Sequence, residues 1–338
     1  MLFELAGNDA IKSIVRDYTE NRSMPHAVIV CGPPGTGKHT VANHLLMSLG
    51  CKSTKEKPCG KCEACRKIEQ KISPDVIYIG CEGKRKTIGI ESVRTIRENA
   101  YIVPNDLDVK VFVIDDASLM TVQAQNALLK LLEEPPENVY FILIASDPSL
   151  LLTTVRSRAP ELKLAAFSGS ELKELLLERS EKARKLFEKD PDALLGIVNS
   201  AQGSYGRAIS GLESKKSPMD EISLVLEYLT VLSGFSKGEL YGFISLLPLK
   251  QREDAIAFCE KLMFAFRDMI ASRKSGNPEM MLFASCDGAR EFALKYPFAA
   301  LVSMYSITEQ IFTELSTINV NLTTEYTTLA KRLWAAKL

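Results

Sequence analysis

The sequence predicts an α/β domain built on a parallel sheet, then a small helical unit, then an all-α C-terminal domain. Three observations carry this. A glycine-rich loop, Gly32-Pro33-Pro34-Gly35-Thr36-Gly37-Lys38, lies between a strand-length apolar run and a helix-forming stretch. Up to residue 165, short apolar runs alternate with helical periodicity, as expected for parallel strands joined by crossover helices. Beyond residue 165 the strand-like runs stop, and helical spacing continues towards residue 338.

In chain order, residues 26–31 (HAVIVC) form a buried-strand run, and a helix over 38–49 follows the glycine loop. A second strand is expected at 75–80 (DVIYIG). The helix expected over 90–101 places Ile90, Val93, Ile96 and Ala100 on one apolar stripe. Residues 110–115 (KVFVID) give a third strand, and a helix over 121–134 is stopped by Pro135-Pro136, which cannot continue the hydrogen-bond ladder. Residues 139–145 (VYFILIA) give a fourth strand. From 168 to 213 the pattern is helical, with Ser168 and Ser170 as candidate caps. The polar stretch 213–218 reads as a linker, and helices at 221–232, 252–272 and 298–318 complete the chain. The domain division is therefore 1–165, with an insertion at 51–71, then 166–213, then 219–338.

Bulk properties narrow the function classes. At 338 residues, two or three domains can each bury a core. Lys plus Arg equals Asp plus Glu at 42 each, so nucleic-acid contact requires a local patch or a partner rather than a basic body. The only dense basic triplet, Lys84-Arg85-Lys86, reads as a solvated loop. Met1-Leu2-Phe3-Glu4-Leu5 has no secretion-signal pattern, and no apolar run approaches the ~20 residues of a membrane helix. A cytoplasmic protein without a membrane segment is expected.

The loop fits G-x-x-x-x-G-K-[ST] at every position but the last. In that pattern backbone N–H groups wrap phosphates, the Lys meets the terminal phosphates and the hydroxyl ligates Mg²⁺. Here His39 replaces the hydroxyl residue. Thr40 does not take over, because one helical residue turns a side chain by about 100°. Asp115-Asp116 at the end of an apolar strand has two readings, solvated acids or the pair that holds Mg²⁺ and polarises water. Glu is usual at the second position, and Asp116 is one methylene shorter. The candidate nucleotide-binding residues are Gly32, Pro33, Pro34, Gly35, Thr36, Gly37, Lys38, His39, Thr40, Asp115 and Asp116.

Cys51-x7-Cys59-x2-Cys62-x2-Cys65 fits a tetrahedral zinc site with no open position, hence a structural Zn²⁺. Cys31, Cys81, Cys259 and Cys286 read as ordinary buried residues. At Ser157-Arg158, charge alone reads as surface arginine at a helix end, while an arginine reaching a neighbour's γ-phosphate would stabilise transferred charge.

The order of these pieces, with Leu128-Leu-Lys-Leu-Leu-Glu-Glu-Pro-Pro136 between the acids and Ser157-Arg158, resembles bacterial clamp-loader subunits of the AAA+ class over essentially the whole chain. The resemblance implies an AAA+ P-loop domain with a zinc insertion, a helical lid and a C-terminal collar. Within the group, His39, Asp116 and Gly206 in Gly203-Ser204-Tyr205-Gly206-Arg207-Ala208 depart from the gamma/tau motor pattern and resemble the delta-prime form, as does Asn319-Val-Asn321-Leu322 with Glu325. Arg207 is displaced by one residue from the motor's sensing arginine, and Ala159 departs from the family's S-R-C. The resemblance implies a hetero-pentamer with gamma/tau and delta subunits, within a DNA polymerase III holoenzyme. That assembly loads a sliding clamp onto primed DNA. It also implies weak binding of ATP and Mg²⁺ by this chain, little turnover of its own, and Arg158 as a catalytic arginine donated in trans. The alternatives are an active gamma-type motor and a zinc-containing DNA-binding module.

Overall fold

The computed structural model describes residues 7–21, 23–53, 57–81, 87–213, 218–234, 236–246, 251–274, 283, 286–317 and 320–337. The basic triplet 84–86, linker residues 214–217, Asn319 and the first five residues lie outside them. The chain divides into two compact units, Met1–Leu175 with Gly203–Arg207, and Leu176–Gln202 with Ala208–Leu338.

The first unit contains α1 (Asp9–Glu20), β1 (Ala27–Cys31), α2 (Lys38–Gly50), α3 (Glu63–Glu69), β2 (Val76–Ile79), α4 (Ile90–Ala100), β3 (Lys110–Ile114), α5 (Val122–Glu133), β4 (Val139–Ala145), α6 (Thr153–Arg156) and β5 (Glu161–Lys163). The strands form one parallel sheet in the order β2-β3-β4-β1-β5. Insertion of β4 between β1 and β3 pairs Val30 with Ile144, and Ile114 with Leu143. The C-terminal tips of β1, β4 and β3 therefore sit side by side, where ligands of open parallel sheets bind.

Strand alternation divides the core. Val28, Val30, Val111, Val113 and Ile142 face α1–α3 through Val15, Leu45, Leu46 and Ile68. Ile29, Phe112, Ile114, Phe141 and Leu143 face α4 and α5 through Val93, Ile96, Leu128 and Leu132. Covering on both faces explains why these strands are apolar throughout rather than alternating with polar residues. Phe112 and Phe141 stack at 5.5 Å between centroids.

Asp75, expected to begin a strand, precedes β2 and is fully buried. Its carboxylate accepts from the N–H groups of Asn105 (2.8 Å), Asp106 (2.6 Å) and Leu107 (2.9 Å), pinning the turn that feeds β3. Ser168 caps α7 (Gly169–Arg179). Its Oγ accepts from the Glu171 N–H, and the Glu171 carboxylate accepts from the Ser168 N–H and Oγ–H, a reciprocal capping box. Cys81, expected to be buried, is exposed, because β2 ends at Ile79 and the chain leaves the sheet before reaching it.

The second unit is helical among the described residues: α8 (Glu181–Lys189), α9 (Pro191–Ala201), α11 (Pro218–Ser233), α12 (Lys237–Leu246), α13 (Arg252–Lys274), α14 (Asp287–Lys295), α15 (Phe298–Thr317) and α16 (Leu322–Ala336). Helix α10 (Tyr205–Glu213) begins in the first unit's returning segment. The core of α11–α16 is built from Tyr228, Phe258, Leu262, Phe266, Leu301, Ile311 and Leu333. Asn321 caps α16, accepting from the N–H groups of Thr323 and Thr324. No helix among the described residues is long and apolar enough to cross a membrane.

Candidate nucleotide cavity, cysteine cluster and Arg158

The loop between β1 and α2 has the shape its glycines require. Gly32 and Gly35 take φ of 149° and 74°, which L side chains rarely adopt. Space is closed as well: a Cβ on Gly32 would lie 2.5 Å from the Leu164 carbonyl oxygen, and one on Gly35 would overlap the Ser204 hydroxyl. Thr36 Oγ donates to the Pro33 carbonyl at 2.8 Å. Lys38 is buried, and its ammonium donates to the carbonyls of Gly32 (2.8 Å) and Pro33 (2.9 Å). Desolvation lowers its pKa, opposed by the charges of Asp116, Cys31 and Asp115. Two of three N–H donors are thus spent on fixing the ammonium at the mouth of the loop.

The facing wall comes from the tips of β3 and β4. Asp115 follows β3, and its N–H donates to the Ile79 carbonyl at 2.7 Å. Asp116 is left-handed at φ 54°, a conformation Asp tolerates better than most residues, and its Oδ1 accepts from Ser146 Oγ at 3.2 Å. A cavity of about 420 Å³ lies between the walls. Of the residues expected there, Pro34, Gly35, Gly37, Lys38, His39, Asp115 and Asp116 line it. Gly32, Pro33 and Thr36 build the loop behind it, and Thr40 is exposed outside it. Ile144, Ser146 and Tyr205 also line it, beside Gly206, without having been singled out in the sequence. Ser146 was findable, since it follows the strand that must lie beside the loop strand. Tyr205 was not, because the return of 203–207 to the loop, through the Tyr205 N–H to the Gly35 carbonyl at 3.1 Å, is a tertiary event. Arg207 does not line the cavity.

Loop and Lys38 fit a polyphosphate. The donors for Mg²⁺ fit poorly. Mg²⁺ takes oxygen ligands in octahedral geometry, and here an imidazole replaces the loop hydroxyl. His39 Nε2 lies 3.6 Å from Asp115 Oδ1, over the carboxylate the ion would use.

The cysteines converge as their spacing demands. The sulfurs of Cys51, Cys59, Cys62 and Cys65 all lie within 4.8 Å of one another, and no other such donor cluster occurs among the described residues. A tetrahedral Zn²⁺ with Zn–S near 2.3 Å needs sulfurs about 3.8 Å apart, so the set could hold one. Backbone N–H groups already point at the sulfurs: Cys59 N–H to Cys51 Sγ (3.3 Å), Cys62 N–H to Cys59 Sγ (3.4 Å) and Cys65 N–H to Cys62 Sγ (3.5 Å). Burial would raise the Cys62 thiol, but the N–H groups of Cys65 and Lys52 and the adjacent thiols bring it down to about 6. Cys65 is pushed up by its own burial. The N–H groups of Lys61 and Cys62 bring Cys59 down as well, and a cluster with such easily ionised thiols is chemically suited to exchanging protons for a metal.

Arg158 lies between α6 and β5 with its side chain one-third exposed. Its Nη1 donates to the Thr154 carbonyl at 2.8 Å, and its Nη2 pairs with Glu133 Oε1 at 2.5 Å. Arg156 is engaged separately, with Nε 2.6 Å from Glu161 Oε1.

Residues 7–168 match the family model described as DNA polymerase III, delta subunit. The chain is 25% identical over 335 residues to the tau subunit of DNA polymerase III from Bacillus subtilis, covering 94% of this chain and 58% of that one. It is 35% identical over 204 residues to the gamma subunit from Buchnera aphidicola, covering 60% and 54%. The chain thus spans somewhat over half the length of these relatives. A solved gamma subunit-related protein from Thermotoga maritima aligns with 94% of this chain and 98% of its own at 19% identity, with a TM-score of 0.46.

Proposed function

We propose that the chain is of the DNA polymerase III clamp-loader type, a reading supported by its similarity to tau and gamma subunits and by the delta-subunit family model over residues 7–168. On that premise, it acts as the delta-prime subunit. It is a largely non-hydrolysing scaffold that joins gamma/tau and delta subunits in a hetero-pentamer and presents Arg158 to the nucleotide of the adjacent motor subunit. Through the complex it helps place a sliding clamp on primer-template DNA. The cysteine cluster holds a structural Zn²⁺, residues 166–213 act as the lid and residues 219–338 as the oligomerising collar.

The observation that carries this reading is His39 standing over Asp115. The phosphate-binding loop keeps its glycines and Lys38, while the hydroxyl that would ligate Mg²⁺ is replaced by an imidazole that faces the retained Asp115. Loss of the motor's sensing arginine at Gly206, which opens directly onto the cavity, supports the same division of labour.

The test is ATP turnover by the purified chain and by a complex reconstituted with gamma/tau and delta subunits. The chain alone turns over negligibly. Lys38→Ala leaves the complex near wild type, and Arg158→Ala lowers its turnover by ~10³-fold or more, the range for a lost trans arginine. A second reading, a gamma-type motor, is favoured by the tau and gamma identity of the relatives above. It requires brisk turnover by the isolated chain, abolished by Lys38→Ala.

A further inference from the structure

The string 128–136 (LLKLLEEPP) has so far only a packing role, through Leu128, Leu131 and Leu132. Its first acid does more. Glu133 is the last residue of α5, and Pro135 prevents the helix from continuing beyond it. Its Oε1 lies 2.5 Å from Arg158 Nη2. On the same guanidinium, Nη1 donates to the Thr154 carbonyl (2.8 Å) and to Ser157 Oγ (3.3 Å). A guanidinium has five N–H donors in a rigid planar fork. Two hydrogen bonds from Nη1 and the ion pair at Nη2 occupy the Nη end of the fork, and among the described residues no hydrogen bond or ion pair engages Nε–H. The C-terminal end of α5 adds partial negative charge where the guanidinium docks.

This is a mounting for a side chain that would otherwise be mobile. Thr154 belongs to a one-turn helix, α6, and Ser157 Oγ is a weak anchor on an exposed residue. Among the described residues, Glu133 is the one partner that ties the guanidinium to a longer helix of the sheet's covering layer. Arg156, two residues away, does not share this carboxylate.

We infer that Glu133 is a positioning residue for Arg158: its carboxylate holds one edge of the guanidinium so that the free N–H edge is offered to a phosphate of the neighbouring subunit's nucleotide. The inference rests on the proposed donation of Arg158 in trans. It adds that the string before the double proline sets the geometry of that donation.

The experiment measures kcat and KM for ATP in the reconstituted complex carrying wild type, Glu133→Ala, Glu133→Gln, Arg158→Ala or the double variant Glu133→Ala/Arg158→Ala. Size-exclusion chromatography checks that each assembles. Glu133→Ala lowers kcat by roughly 10-fold with KM unchanged, as expected for a misplaced catalytic group. Glu133→Gln keeps an acceptor oxygen and recovers most of that loss. The double variant equals Arg158→Ala, because Glu133 acts only through the arginine. Unchanged or raised kcat in Glu133→Ala, alongside a fall in Arg158→Ala, overturns the inference; a rise would mean the carboxylate restrains the arginine. A further loss from Glu133→Ala in the Arg158→Ala background also overturns it, by revealing a structural role. If Arg158→Ala itself leaves turnover unchanged, the donated-arginine reading fails and Glu133 has nothing to position.

Discussion

Replacing Asp75 with Asn tests how the acid-bearing strand is held in place. The Asp75 carboxylate is fully buried and accepts from three consecutive backbone N–H groups, of Asn105, Asp106 and Leu107, at 2.6 to 3.0 Å. Oδ2 takes all three and Oδ1 takes Asn105 a second time. An amide can put its oxygen at the Oδ2 position, leaving NH₂ facing the Asn105 donor. Three charge-assisted bonds become neutral and one contact turns repulsive. At about 0.5–1 kcal/mol for each of the four contacts weakened or reversed, the expected loss is about 2–4 kcal/mol. Burial raises this carboxyl, but the N–H groups of Leu107, Asn105 and Asp106, with Lys110 nearby, more than offset it and hold it below its ordinary value of 3.8. A depressed folded-state pKa contributes stability that is complete above the unfolded-state value and is lost as pH falls through the folded one. Wild type therefore loses this contribution only below about pH 4, and Asp75→Asn has none to lose. Urea melts at pH 7 and pH 3, with hydrogen exchange read over residues 105–114, provide the measurement. A variant within about 0.5 kcal/mol of wild type at pH 7, or one with an unaltered acid profile, would refute the reasoning.

Two more perturbations follow from the site. Cys62→Ser removes the most readily ionised thiol of the cluster; we expect loss of bound zinc by elemental analysis and rapid exchange confined to residues 51–71. Zinc content and melting equal to wild type would show that the cluster is not a metal site. Gly35→Ala combines a positive φ with a Cβ that overlaps Ser204 Oγ, so stability falls by about 1–3 kcal/mol. Ser204→Ala in the same chain should restore part of it in a thermal melt, because only the steric component is relieved; no recovery would mean the backbone conformation accounts for the whole cost.

Much of the first unit was legible because its signals are local. A strand covered on both faces must be apolar throughout, so 139–145 announces itself, and the loop glycines and cysteine spacings are chemical requirements written within a few residues. Helix α1 and strand β5 were not anticipated. β5 is only Glu161-Leu162-Lys163, an edge strand with one buried side chain, too short for any periodicity to register. The cavity was half legible. Lys38, His39, Asp115 and Asp116 were named from motifs, but Tyr205 enters from a segment about 170 residues later in sequence than the loop it joins. The partner of Arg158 was hidden for the same reason: Glu133 stands 25 positions earlier, and only the packing of α5 beside α6 brings the two charges together.

Gly32 and Gly35 are confined from outside the loop as much as by any ligand within it. Leu164, in the chain just beyond the edge strand, closes over one, and Ser204 closes over the other. A descendant of this chain that had abandoned nucleotide altogether would still be unable to shed those residues without disturbing its own walls. An intact fingerprint can therefore outlive the reaction it once served.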